Sequence, residues 1–378
     1  PDNKTLDELL SSLSDNSVGY DRASLLYTKD HEKYSINVDL VYQRSLIKGT
    51  SDNPGSVDIE KSYNYFLPSA TINWIDKNLR LRYNTSINEP SVTQLQPIVD
   101  NSNPLQLSVG NPDLRPEYAH SVNLRYSFFD NFNFRNLFTF INVRYTKDKI
   151  VNAQTINQDL VRTTVPINTD NQKNASLNFS FSSPIRKLKL KSRLFGSGSV
   201  TQSINFINGI QNDVVSLSPR VGLELENINN KVISLLVAYE NSYNENKYSI
   251  NTTQNASYVV HNLRSTLLVN FGKAWTLDSD INHNIYTGQA FDETVNLTMF
   301  NAAFSKRLFN DRLTAKLRVA DIFNVGQGIS RNVGDTYVEE LTTNGIGRFF
   351  LFSLSYRLSG FAPAQINMQG PPRMMMMR

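Results

Sequence analysis

The sequence predicts an all-β chain, the wall of a transmembrane antiparallel β-barrel. Three observations predict it: apolar and polar residues alternate almost end to end, short and long connections alternate, and the polarity comes from uncharged side chains. Strict alternation is the period-2 signature of a strand with one apolar face. Of the 378 residues 40% are hydrophobic and mean hydropathy is -0.36, yet only 19% are charged. A soluble chain this polar draws on charge, whereas a barrel strand turns one face to lipid and the other to water. No apolar run approaches the roughly 18 residues that a membrane helix needs, so any crossing is made by strands.

In chain order the alternation shows first at Ile36, Val38, Leu40 and Tyr42. Val122, Leu124, Tyr126 and Phe128 then oppose Ser121, Asn123, Arg125 and Ser127, and Leu177, Phe179 and Phe181 follow. Leu188 and Leu190 oppose Lys187, Lys189, Lys191 and Arg193. Leu263, Leu267, Val269 and Phe271 form the next stripe, then Leu313, Ala315, Leu317 and Val319. The last is Phe350, Phe352, Leu354, Tyr356 and Leu358 against Ser353, Ser355, Arg357 and Ser359. These segments amount to about fifteen strands between residues 20 and 361. Several exceed the ~9–11 residues that cross a bilayer at a tilt, and all but a few exceed the ~5–6 of soluble sheets.

Short turns are expected near 30–33, 76–78, 130–136, 184–186, 227–231, 272–274 and 310–312. Long polar loops are expected near 49–63, 90–118, 151–165, 206–214, 288–296 and 325–347. Barrels of the outer membrane sort their connections this way, with short periplasmic turns and longer extracellular loops. Residues 1–19 then read as an extracellular loop segment. Residues 362–378, with Pro371, Pro372 and Met374 to Met377, read as a disordered periplasmic tail. Aromatic residues near strand ends, among them Tyr20, Phe66, Trp74, Phe128, Trp275 and Phe309, suit interfacial girdles.

The chain has no cysteine, so neither disulfides nor a thiolate metal site can be argued. A net charge of +4 is mild, and the basic residues sit at alternate strand positions, which disfavours a nucleic-acid partner. No secretory signal opens the sequence at Pro1.

Gly110-Asn111-Pro112-Asp113-Leu114-Arg115-Pro116-Glu117, followed at once by an alternating strand, resembles the strand-entry signature of TonB-dependent receptor barrels. Tyr65-Phe66-Leu67-Pro68-Ser69-Ala70, Pro90-Ser91, Leu95-Gln96-Pro97 and Asp321-Ile322-Phe323-Asn324 are similar, more narrowly, to segments of the outer membrane protein β-barrel family common in Bacteroidetes. The resemblance implies a barrel of roughly 22 strands around an N-terminal plug, in the outer membrane, energised by a TonB complex. On that reading the chain is the C-terminal part of the barrel. Further strands and the plug lie upstream, because an open edge is not tolerated in lipid. Outer-membrane lipid and lipopolysaccharide, the TonB complex and a surface lipoprotein are the expected partners.

Within the octapeptide, Gly110, Asn111, Pro112, Leu114, Pro116 and Glu117 are expected to be structural. The prolines remove ladder donors and fix turns, and Glu117 is placed to bind loop amides. A second group is the basic inward parity: Arg80, Arg82, Arg125, Arg144, Lys187, Lys189, Lys191, Arg193, Arg264, Arg318 and Arg357, with Arg220 and Lys316. It reads either as a field that favours anionic cargo or as charge balanced by acids of the barrel and plug. Inward acids are fewer: Asp39, Glu224, Glu226, Glu240, Asp278 and Asp280. Asp278 and Asp280 have the look of a paired-carboxylate site, but lumenal charge balance is the favoured reading. His31, His120, His261 and His283 show no metal-ligand spacing. The expected function is non-enzymatic, without cofactor: import of an unidentified substrate, with a non-transporting barrel subunit of a larger assembly or a surface-binding complex as the alternative.

Overall fold

The computed structural model describes residues 13–358 apart from 54–56, 229, 251, 253–254, 290–292 and 334–337. Its strands are β1 (Leu13–His31), β2 (Tyr34–Asn53), β3 (Val57–Trp74), β4 (Leu79–Asn88), β5 (Val99–Asn103), β6 (Gln106–Val109), β7 (Glu117–Asp130), β8 (Arg135–Ile156), β9 (Arg162–Ile185) and β10 (Leu190–Ile207). They continue as β11 (Ile210–Leu217), β12 (Arg220–Asn227), β13 (Ile233–Tyr248), β14 (Ala256–Phe271), β15 (Trp275–Gly288), β16 (Val295–Leu308), β17 (Leu313–Ala320), β18 (Gln327–Val333), β19 (Val338–Asn344) and β20 (Phe349–Tyr356). One short helix, α1 (Val92–Leu95), lies between β4 and β5.

The wall is an antiparallel meander. Each strand pairs with the next from β1 to β4, then β4 with β7 and onward to β10. The lower half of β10 pairs with β12 and its upper half with β11, so β11 and β12 are one path interrupted at Ser218 and Pro219. Pairing then runs on to β17, which takes β20. The pairs β5–β6 and β18–β19 are hairpins within connections. Setting these aside, the described wall has the expected fifteen strands. Among the described residues β1 is in register only with β2 and β20 only with β17.

The registers carry the alternation across the whole wall. Phe352, Leu317, Phe304, Leu277, Val269 and Ile233 are successive cross-strand partners from β20 to β13. Val38, Ala70, Tyr83, Val122, Val143, Ala175 and Val200 form a second such row from β2 to β10. One position along, the opposite face reads Ser353, Lys316, Ser305, Thr276 and Asn270. One side of the sheet is therefore predominantly apolar and the other predominantly polar, as expected of a wall between lipid and water.

Four expectations change. Residues 13–19, read as loop, belong to β1, and residues 1–12 and 359–378, with the whole of the expected tail, lie outside the described residues. Lys187 and Lys189 are not on a strand: Arg186–Leu188 is a 3-10 turn, Lys189 closes it at φ 52, and β10 begins only at Leu190. The Lys-Leu-Lys-Leu spacing imitates a strand, but the chain must reverse between the closing pair Ile185 and Leu190. Residues 151–165 are mostly paired, because β8 and β9 extend to 22 and 24 residues and meet across Asn157–Val161. Residues 49–63 and 206–214 are likewise largely hairpin. Strand ends that leave the bilayer have water on both faces, so the backbone ladder persists while the alternation that signals it disappears.

Candidate functional site

The octapeptide roots the longest described connection, residues 89–116, which folds down onto the polar face. Leu114 and the α1 residues Val92 and Leu95 are buried with Ile47 of β2 and Ile59 of β3, and Tyr63 and Ile150 pack around them. Burying each aliphatic side chain contributes up to about 1.5–3 kcal/mol. Helix α1 is only four residues long and survives by capping: Ser91 Oγ accepts the Gln94 N–H at 3.2 Å and Gln94 Oε1 accepts the Ser91 N–H at 3.0 Å.

Gly110 and Gly49 are glycine because of close approach. A Cβ on Gly110 would lie 2.1 Å from the Gln96 carbonyl oxygen, and one on Gly49 would lie 2.2 Å from Val92 Cγ1. Asn111 is the connector: its N–H donates to Gln94 O at 2.6 Å, its amide to Pro166 O at 3.0 Å, and its Oδ1 accepts the Asp113 N–H at 2.9 Å. Pro112 and Pro116 flank Leu114, whose carbonyl accepts the Tyr63 hydroxyl at 3.2 Å. Arg115 pairs with Asp148 at 2.8 Å, and Asn168 clamps the Arg115 backbone through both amide atoms. Glu117 Oε1 takes Lys149 Nζ at 2.8 Å and the Ile150 N–H at 3.0 Å. The octapeptide therefore joins the connection to β3, β8 and β9 through packing, hydrogen bonds and two ion pairs. On the connection itself, Ser102 donates its hydroxyl and N–H to Asp100 Oδ1, which holds that carboxyl below the usual range.

A residue that sequence reasoning missed holds the other end. Glu89 Oε1 accepts from Gln43 Nε2 at 3.1 Å and from the Ser45 hydroxyl, while its Oε2 accepts the Tyr20 hydroxyl at 3.4 Å. Arg22 steadies Gln43 from β1 at 2.7 Å. The connection is therefore pinned at both ends, to β1–β2 by Glu89 and to β7–β9 by the octapeptide.

The second motif does similar work at the end of β17. Asp321 is buried with φ 51; its carboxylate accepts the N–H groups of Val325 at 3.0 Å and Gly326 at 2.7 Å. Asn324 Oδ1 accepts the Arg348 N–H at 2.8 Å, which ties the root of the last connection to the residue before β20.

By register Arg80, Arg82, Arg125, Arg144, Lys191, Arg193, Arg220, Arg264, Lys316 and Arg318 share the polar face with Asp39, Glu224, Glu226, Glu240, Asp278 and Asp280. Arg357 follows β20, its N–H donating to Arg312 O at 2.8 Å. Arg264 pairs with Glu224 at 3.3 Å and Arg220 with Glu240 at 3.7 Å. Asp280 accepts from Asn301 at 2.7 Å. The histidines are spread out: His120 meets the Tyr83 hydroxyl at 2.8 Å, His261 the Tyr239 hydroxyl at 2.7 Å, His283 the Thr298 hydroxyl at 2.7 Å, and His31 stacks on Tyr34. Among the described residues no three His, Asp or Glu side chains gather as a metal site.

The family model for the outer membrane protein beta-barrel family matches residues 23–356. No curated protein matches the chain. Among solved structures, OmpT of Vibrio cholerae is similar at 9% identity and TM-score 0.33, over 94% of this chain and 99% of that one. The FpvAI–pyocin S2 complex is similar at 9% identity and TM-score 0.31, over 92% and 58%. P. aeruginosa FpvA bound to heterologous pyoverdines is similar at 9% identity and TM-score 0.29, over 92% and 59%. This chain spans about 58–59% of the length of those two FpvA chains.

Proposed function

Because this chain belongs to the outer membrane protein beta-barrel family, we propose that it is wall of a TonB-dependent-type importer, with its polar face lining the lumen and its apolar face in lipid. Upstream strands and a plug complete the barrel, an inner-membrane TonB complex supplies energy, and a surface lipoprotein is a candidate partner. The wall performs no covalent chemistry on its cargo. The observation that carries the reading is the connection 89–116, seated on the polar face and pinned at both ends by Glu89 and Glu117. A long connection held inward narrows a wet lumen at a fixed place, which selective passage of a solute requires.

Solute depletion from a defined medium tests this. A strain lacking the protein and a strain lacking TonB function are expected to leave behind the same solute, one that the parent strain removes. The reading fails if the first strain removes every solute that the parent removes.

A further inference from the structure

The polar face is not uniformly charge-balanced. On its β10–β14 side basic residues meet acids in register: Lys191 opposes Glu226, Arg193 opposes Glu224, and Arg264 bonds Glu224. On β4 and β7 the pattern inverts. Arg80 and Arg125 are direct cross-strand partners, and Arg82 lies two residues along β4 on the same face. Like charges directly opposite one another are destabilising. All three side chains are exposed on that face, and none has an ion pair or side-chain hydrogen bond among the described residues. The amides between them are engaged with one another: Asn142 donates to Asn123 at 2.8 Å and Asn123 to Asn84 at 3.3 Å. Asp39, on β2, is separated from Asn84 by Ser69 and makes no ion pair with the arginines.

We propose that Arg80, Arg82 and Arg125 form an oxyanion site on the polar face, taking a carboxylate or phosphate-type group. The planar fork of each guanidinium suits bidentate capture of such a group, and an anion between Arg80 and Arg125 turns their repulsion into attraction. Arginine is the informative residue here, since a lysine would leave only a solvated point charge. The same chemistry has two sources: a free anion in the lumen, or an acidic side chain of polypeptide lodged against the wall. The site stands on the registers and does not depend on the transport reading.

The test uses the protein purified whole from outer membranes into detergent. Unfolding midpoints are measured while inorganic phosphate replaces chloride at constant ionic strength, for wild type, R80Q, R82Q, R125Q and the charge-preserving R125K. Heat-modifiable gel mobility confirms that each variant is folded. A free-anion site gives a midpoint that rises with phosphate, and the glutamine variants lose the rise, with phosphate affinity weakened about tenfold or more. A site already filled by polypeptide carboxylates gives no phosphate effect, and R80Q and R125Q lower the midpoint in chloride alone. The proposal is overturned if phosphate has no effect and the glutamine variants leave the midpoint unchanged or raise it, since relief of repulsion is what an empty cluster predicts. It is equally overturned if the phosphate response persists undiminished in all three glutamine variants.

Discussion

Glu117 Oε1 lies 2.8 Å from Lys149 Nζ and also accepts the Ile150 N–H at 3.0 Å, so one carboxylate oxygen closes β7 onto β8. It does so beside Asp148, whose φ of 53 interrupts the β8–β9 pairing between the partners Lys147–Asn171 and Lys149–Thr169. The last residue of the octapeptide therefore supplies an acceptor and a counter-charge where the ladder is broken.

Replacing Glu117 by Ala leaves the Lys149 ammonium and the Ile150 N–H without that partner. Breaking a fully buried ion pair costs about 3–5 kcal/mol. The Lys149 side chain is 28% exposed, so water recovers part of this and about 2 kcal/mol is expected. Glu117→Gln retains an acceptor for the amide and should lose about half as much. Urea midpoints in detergent rank the three proteins, and equal midpoints would remove the residue from its structural role.

Gly110→Ala places a methyl group where only 2.1 Å separates it from the Gln96 carbonyl oxygen, a backbone atom that cannot swing aside. The connection 89–116 should detach from the polar face, and a protease cutting after the buried Leu95 should gain access. Gly19→Ala on β1 meets nothing within 4 Å and is the matched control. Limited proteolysis distinguishes them: a resistant Gly110→Ala protein would show that the close approach is not needed.

How much of this was legible in the sequence follows from where each residue sits relative to the bilayer. Phe352, Leu317 and Phe304 alternate with Ser353, Lys316 and Ser305 because lipid and water compel opposite choices on the two faces. That compulsion ends at the membrane surface, so the outer halves of β8 and β9 read as loop. Lys187 and Lys189 mislead for the opposite reason, since a polar turn can mimic strand period over four residues. Glu89 was invisible because its partners Gln43, Ser45 and Tyr20 are 44 to 69 residues away, and no local period encodes such a contact. The Ser91-x-x-Gln94 capping box beside it was readable and would have marked a helix start inside the connection.

The two faces make a direct mutational contrast. Leu317→Arg on β17 puts a charge into the apolar row and should destabilise the protein by about 2–4 kcal/mol if that position is near the bilayer midplane. Ser305→Arg, on the neighbouring strand but the polar face, should change stability little, although it adds to a basic surface beside Lys316. Unfolding in lipid vesicles measures both. Equal costs would mean that the faces are wrongly assigned.

The connection 89–116 and the short turns lie on opposite rims, because β4 leaves the turn after Trp74 and ends at Asn88 where the connection begins. Sorting of connection length predicts that the rim of long connections is extracellular and the rim of short turns periplasmic. With no native cysteine, one introduced thiol reports one position. Asn101→Cys sits in the exposed β5–β6 hairpin and Lys77→Cys in the exposed turn between β3 and β4. Neither side chain is held by a hydrogen bond or ion pair among the described residues, and neither backbone has a positive φ, so both substitutions should be silent for folding. A membrane-impermeant maleimide applied to whole cells should modify Asn101→Cys and leave Lys77→Cys untouched until the outer membrane is permeabilised. Labelling of Lys77→Cys alone in intact cells would invert the orientation. It would also place the pinned connection on the periplasmic side, where it could not meet a solute arriving from outside.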